Sequence, residues 1–114
     1  MQPRDRVSLQ DIVEQINTIQ EYLVGQELED FLQDTMRQDA VIRRFELIGE
    51  AATRLSDEFR TSHPEITWRT IRDMRNFLIH VYDSVDITIV WTTAHNDITP
   101  LLRAVEKMLG EEPS

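Results

Sequence analysis

Residues 40–59, AVIRRFELIGEAATRLSDEF, set Val41, Phe45, Ile48, Ala52, Leu55 and Phe59 at alternating steps of four and three. Side chains so spaced share one face of an α-helix, and such a stripe lies against a partner helix. Gly49, Ala51 and Ala52 are small enough to let that partner approach closely. The pattern predicts a long helix from about Thr35 to Thr61. His63-Pro64 ends it, because proline disfavours helical geometry in the residue before it.

Upstream, Leu9, Ile12, Val13, Ile16, Ile19 and Leu23 make a second stripe, with Ser8 and Asp11 as a weak capping box and Gly25 as a stop. The short amphipathic segment LEDFLQD joins the two helices. Downstream, Thr67 caps a helix running to about Asp83, and Asp86 begins another with Ile87, Val90, Ile98, Leu101, Leu102, Val105 and Leu109 inward. Pro100 should kink or restart that last helix, and Gly110 should end it. With three glycines, four prolines and no sustained period-two alternation, sheet is not expected. The reading is all-α: a four- to five-helix antiparallel bundle in one domain, residues 1–114.

Composition narrows the function. The net charge of −9 argues against broad nonspecific nucleic-acid binding, yet Arg69, Arg72 and Arg75 fall within one short stretch and Arg43 and Arg44 form a second pair. The absence of cysteine removes disulfides, thiolate metal sites and thiol nucleophiles, and fits a reducing cytoplasm. No apolar run is long enough to span a bilayer, and MQPRDRVSLQD lacks the apolar core of a secretory signal.

The stretch MRNFLIHVYDSVD, residues 74–86, carries the chemistry. At roughly 100° per residue, Ile71, Met74, Phe77, Leu78, Val81 and Val85 fill one continuous arc, the buried face. Arg69, Asn76 and His80 lie on one edge of the opposite side and Arg75 and Tyr82 on the other. Arg75 and His80 are about 140° apart, so one ideal helix does not bring them together. Ile79 sits among these polar groups, which suggests a face covered by another chain. The plain alternative is a solvated polar face, and for Tyr82 a half-buried tyrosine with a satisfied hydroxyl.

Arg75, His80 and Tyr82, with four residues and then one between them, resemble the RX4HXY signature of HEPN-domain ribonucleases of the HepT family. The stretches IGEA at 48–51, ITWRTIRDMRN at 66–76, VDITIVW at 85–91 and DITPLL at 97–102 extend that resemblance over nearly the whole chain. It implies a homodimer that pairs two signature helices around a shared cleft, and metal-independent RNA cleavage without a cofactor. The ribose 2′-hydroxyl would attack the adjacent phosphodiester, giving a 2′,3′-cyclic phosphate and a 5′-hydroxyl. The resemblance also implies a toxin of a type VII-like toxin–antitoxin pair, neutralised by AMPylation of Tyr82 by its partner, an MntA-like minimal nucleotidyltransferase.

These residue types suit that reaction. His80 can accept or donate a proton near neutral pH. Arg75 offers a permanent charge in a planar fork matched to phosphate oxygens. Asn76 can orient the phosphate or the imidazole. Arg69, Arg72, Arg43 and Arg44 are the candidate RNA-binding cations, and Glu50 is a candidate support, either paired with an arginine of the signature helix or simply solvated. Dimerisation doubles the charge to about −18, so strong salt sensitivity and a structured substrate such as transfer RNA are expected. His63, expected to face solvent, and His95 lack carboxylates at ligand spacing, so no metal site is expected. The alternative function is a noncatalytic nucleotide- or partner-binding subunit of a minimal nucleotidyltransferase pair.

Overall fold

The computed structural model describes residues 1–68, 71, 74 and 87–111, and among these all regular structure is helical. Six helices are defined: α1 Pro3–Leu23, α2 Leu28–Leu32, α3 Thr35–Thr53, α4 Asp57–Ser62, α5 Ile87–Asn96 and α6 Ile98–Glu111. Trp68, Ile71 and Met74 are also helical. An expected end near Asp83 and a start at Asp86 lie outside the described residues.

The stripe that predicted α3 is the core. Val41, Phe45 and Ile48 are fully buried, and Ala52, Leu55 and Phe59 nearly so. It faces Leu9, Ile12, Ile16 and Ile19 of α1, all fully buried. Removing such side chains from water supplies about 1.5–3 kcal/mol each before chain entropy is counted. α1 also packs on α6, while α5 closes against α2, α3 and α6.

Polar bonds set α1 and α3 antiparallel. Near one end Arg37 Nη1 donates to the Tyr22 carbonyl. Midway, Arg44 Nη1 donates to Gln15 Oε1 at 2.9 Å and Gln15 Nε2 to Asp11 Oδ1 at 3.2 Å. Arg54 Nη2 then meets Asp11 Oδ2 at 2.8 Å. At the far end the buried Asp5 carboxylate accepts from Ser56 N–H at 2.7 Å and from Ser56 Oγ at 2.8 Å.

Those last bonds correct two boundaries. The expected helix from Thr35 to Thr61 is interrupted at residues 54–56, and Ser56 starts α4 by accepting from Phe59 N–H at 3.1 Å. Ser8 does not start α1; it is a buried interior residue, and the helix begins with Pro3 in its first turn. Proline suits that place because the amide it lacks would have no helical partner there. The exposed Glu27 is the cap residue of α2. Its N–H donates to Asp30 Oδ2 at 2.9 Å, half of the capping box that begins α2.

The C-terminal pair is divided at Asp97, so Pro100 falls in the first turn of a restarted helix. Gly110 does not end α6, which reaches Glu111. Gly25, by contrast, stops α1 in the left-handed region at φ +73°. No heavy atom lies within 4 Å of a Cβ built there, so Gly25→Ala should cost only the conformational penalty. About 1 kcal/mol is expected, read as a lowered denaturant midpoint with an unchanged slope.

Candidate functional site

Arg69, Arg72, Arg75, Asn76, Ile79, His80 and Tyr82 lie outside the described residues, so what the structure defines is the frame on either side of them. On the N-terminal side that frame is a corner on α4. Trp68 donates its indole N–H to the carbonyls of Arg60 at 3.2 Å and His63 at 3.1 Å. Each carbonyl also accepts from a backbone N–H, Arg60 from His63 at 3.4 Å and His63 from Ile66 at 3.3 Å, so the indole adds a second bond at this helix end. Phe59 meets Trp68 edge-on with ring centres 6.0 Å apart and lies 4.4 Å from the His63 ring.

His63 is therefore half-buried rather than facing open solvent, because an aromatic ring one turn earlier covers it. Its Nδ1 is 2.9 Å from Glu65 Oε1. A carboxylate oxygen only accepts, so Nδ1 carries the proton. This bond, helped by the Glu65 backbone amide, holds the Glu65 carboxyl below the usual glutamate range. A depressed folded value stabilises the fold above the ordinary carboxylate pKa, and that contribution is lost as the pH falls through the folded value. Glu65→Gln should lower the melting temperature at pH 7, and the gap to the unaltered protein should close below about pH 4.

Beyond Trp68, Ile71 and Met74 are each 2% exposed. They are the members of the predicted apolar arc that fall within the described residues, and both face inward as expected. Met74 is joined directly to Arg75. Beside it opens a recess of about 260 Å³, bounded across the way by the α5–α6 junction. Ile71, Met74, Leu101 and Ala104 form its inner wall, while the exposed Asn96 and Asp97 stand at its lip. Neither lip residue was a site candidate in the sequence reading, where Asp97 stood only as the first residue of DITPLL; the signal was a polar Asn-Asp pair at a helix break.

The neighbours Arg43 and Arg44 do not converge. Arg43 is exposed and pairs with Glu46. Arg44 turns to the α1 seam through Gln15, and its buried Nε has no hydrogen-bond partner among the described residues. Consecutive residues on a helix point about 100° apart, which is why one pair of arginines serves two faces. Glu50 is half-buried, with no ion pair among the described residues; its carbonyl accepts from Thr53 Oγ1 at 2.6 Å. The signature arginine expected beside it is not among the described residues. His95 stacks on Trp91 at 4.0 Å and its Nδ1 lies 2.8 Å from the Trp91 carbonyl. Among the described residues no group of His, Cys, Asp or Glu is placed to hold a metal ion. No described helix is long and apolar enough to cross a membrane.

The family described as Ribonuclease HepT-like matches residues 12–108. The chain belongs to the HepT-like ribonuclease family. The HepT-like chain is 44% identical over 100 residues to a protein of Thermococcus cleftensis named "Probable ribonuclease HepT", covering 88% of this chain and 91% of that relative. It is 36% identical over 107 residues to a protein of Caldanaerobacter subterraneus whose name gives an inferred RNase assignment, covering 94% and 96% of the two. A protein of Methanocaldococcus jannaschii, named for a gamma-glutamylcyclotransferase and an inferred RNase, is 38% identical over 106 residues, with 93% of this chain matched to 48% of its length. No solved structure matches. The HepT-like match runs from Ile12, within α1, to Met108 in α6, and so takes in the corner and the recess but not Asp5 and Asp11 of the seam.

Proposed function

We propose that this HepT-like ribonuclease is a metal-independent endoribonuclease that acts as a homodimer in the cytoplasm, the toxin of a toxin–antitoxin pair. The observation that carries the reading is the intact Arg75, His80 and Tyr82 pattern inside the family match over residues 12–108. The substrate 2′-hydroxyl loses its proton to one His80 imidazole and attacks phosphorus. The bond from phosphorus to O5′ breaks, and the departing oxygen takes a proton from the His80 imidazolium of the second copy. Arg75 from each copy faces the charge that builds on the phosphorane oxygens, a contribution that is often the largest in such reactions. Asn76 orients the phosphate, Arg69, Arg72 and Arg43 steer the RNA, and Glu50 supports the signature helix. Arg44, engaged at Gln15, is the weakest of the phosphate-binding candidates.

Tyr82 is the acceptor for AMP from an MntA-like nucleotidyltransferase, whose transfer from ATP releases pyrophosphate. The added nucleotide brings bulk and negative charge beside Arg75 and competes with RNA for the same cation. Incubation of RNA with the purified protein in EDTA tests the reaction, and the expected ends are 2′,3′-cyclic phosphate and 5′-hydroxyl. Ends of the opposite kind, or loss of cleavage in EDTA, would refute the mechanism. Uncut RNA together with tight nucleotide binding would favour the noncatalytic subunit instead. Tyr82→Phe should take up no label from α-phosphate-labelled ATP in the presence of the partner.

A further inference from the structure

The recess beside Met74 is built for a ligand of mixed character. Its wall is apolar: Ile71 and Met74 are 2% exposed and Leu101 9%. Its lip is rich in acceptors. The Asp97 carboxylate makes no hydrogen bond or ion pair among the described residues, nor does the Asn96 carboxamide. Glu65 and Thr67 add further oxygens, and the described lining carries no basic side chain. The described residues of this lip offer a phosphate no charged donor. A simple cation gains nothing from such a wall. A flat heteroaromatic ring with N–H groups along one edge satisfies both.

At about 260 Å³ the recess is smaller than the ~300–1,000 Å³ of sites that enclose drug-sized ligands, which fits one ring system. Among the RNA bases, guanine alone presents adjacent ring and exocyclic N–H donors on one edge, the arrangement a carboxylate accepts in a bidentate manner. Uracil offers one N–H between two carbonyls, which a carboxylate repels. We propose that this recess is a subsite for an unpaired guanine, with Asp97 accepting from its Watson–Crick edge and Ile71, Met74 and Leu101 against its face. Met74 immediately precedes Arg75 in the chain, so the recess and the cation assigned to the scissile phosphate belong to one stretch of sequence. The inference rests on the ribonuclease reading for its biological meaning, though not for its binding test.

Free guanosine and free uridine are the probes, titrated into the unaltered protein and followed by methyl NMR. Guanosine should shift the methyls of Ile71, Met74, Leu101 and Ala104 and bind at least tenfold more tightly than uridine. Asp97→Asn should lose that preference; asparagine is as good a helix-capping residue as aspartate, so the fold is kept. Ala104→Leu, which fills the recess and leaves the lip intact, should weaken guanosine by a similar factor. On RNAs differing only at the base flanking the cut, the G-over-U ratio in kcat/KM should fall toward one in both variants. Equal shifts from both nucleosides, shifts elsewhere, or a preference that survives both substitutions would overturn the subsite. Guanosine bound without RNA cleavage would sustain the subsite and refute the ribonuclease reading; cleavage with no base preference would do the reverse.

Discussion

Arg75→Ala should lower RNA cleavage by roughly 10²- to 10³-fold, the usual effect of deleting one preorganised group that meets transition-state charge. His80→Ala should lower it by roughly 10²- to 10⁴-fold, the range for a positioned acid or base. In a dimer both copies lose the group at once, so the upper part of each range applies. The two losses should not multiply in the double variant, because groups acting as one unit are not additive. Arg75→Lys separates charge from geometry: it keeps the cation, loses the planar fork, and should recover only part of the rate. Initial rates on one defined RNA, with circular dichroism to confirm helix content, decide the matter. Activity within tenfold of the unaltered protein in both alanine variants would remove Arg75 and His80 from the mechanism.

The second large effect is on the fold. Asp5→Ala should destabilise the protein by about 2–4 kcal/mol, because the Ser56 N–H and hydroxyl donors lose a charged acceptor in a buried place. Asp5 is 1% exposed and Ser56 9%, so water does not readily replace the carboxylate. Asp5→Asn should restore part of the loss, since its Oδ1 can accept from the Ser56 N–H while its amide donates to the Ser56 hydroxyl, with only the charge missing. Denaturant unfolding of Asp5→Ala, Ser56→Ala and the double variant should give a coupling of about 1–2 kcal/mol, in the range for directly contacting residues. Strict additivity would mean that the pair does not join α1 to α4 in solution.

The sequence was informative where periodicity decides structure. The stripe from Val41 to Phe59 is buried in full, as are Leu9, Ile12, Ile16 and Ile19 opposite it. Periodicity could not reveal the interruption at residues 54–56, because Leu55 and Phe59 stay in register across it and both are buried. The interruption depends on Asp5, distant in sequence, though Ser56 followed by Asp57 and Glu58 is a readable helix start. Pro3 with Asp5 in the first turn is likewise a better start signal for α1 than Ser8. The half-burial of His63 follows from Phe59 one turn before it, a contact that a search for metal spacing does not notice. Arg75, His80 and Tyr82 came from resemblance, not from periodicity. Their wheel angles alone place arginine and histidine on separate edges. The lip residues Asn96 and Asp97 needed the break between α5 and α6, which brings their side of the chain to Ile71 and Met74.

The bonds from Asp5 to Ser56 also bear on the order of events during synthesis. Chains emerge from the ribosome N-terminus first, at about 5–20 residues per second. Every partner in the α1–α3 seam, from Tyr22 with Arg37 to Asp5 with Ser56, is therefore available before Arg75 has left the exit tunnel. Half of the nascent core can close before Arg75 and His80, the residues proposed to cut RNA, are exposed, which would shorten the interval in which a partly made nuclease sits beside the transcript being read.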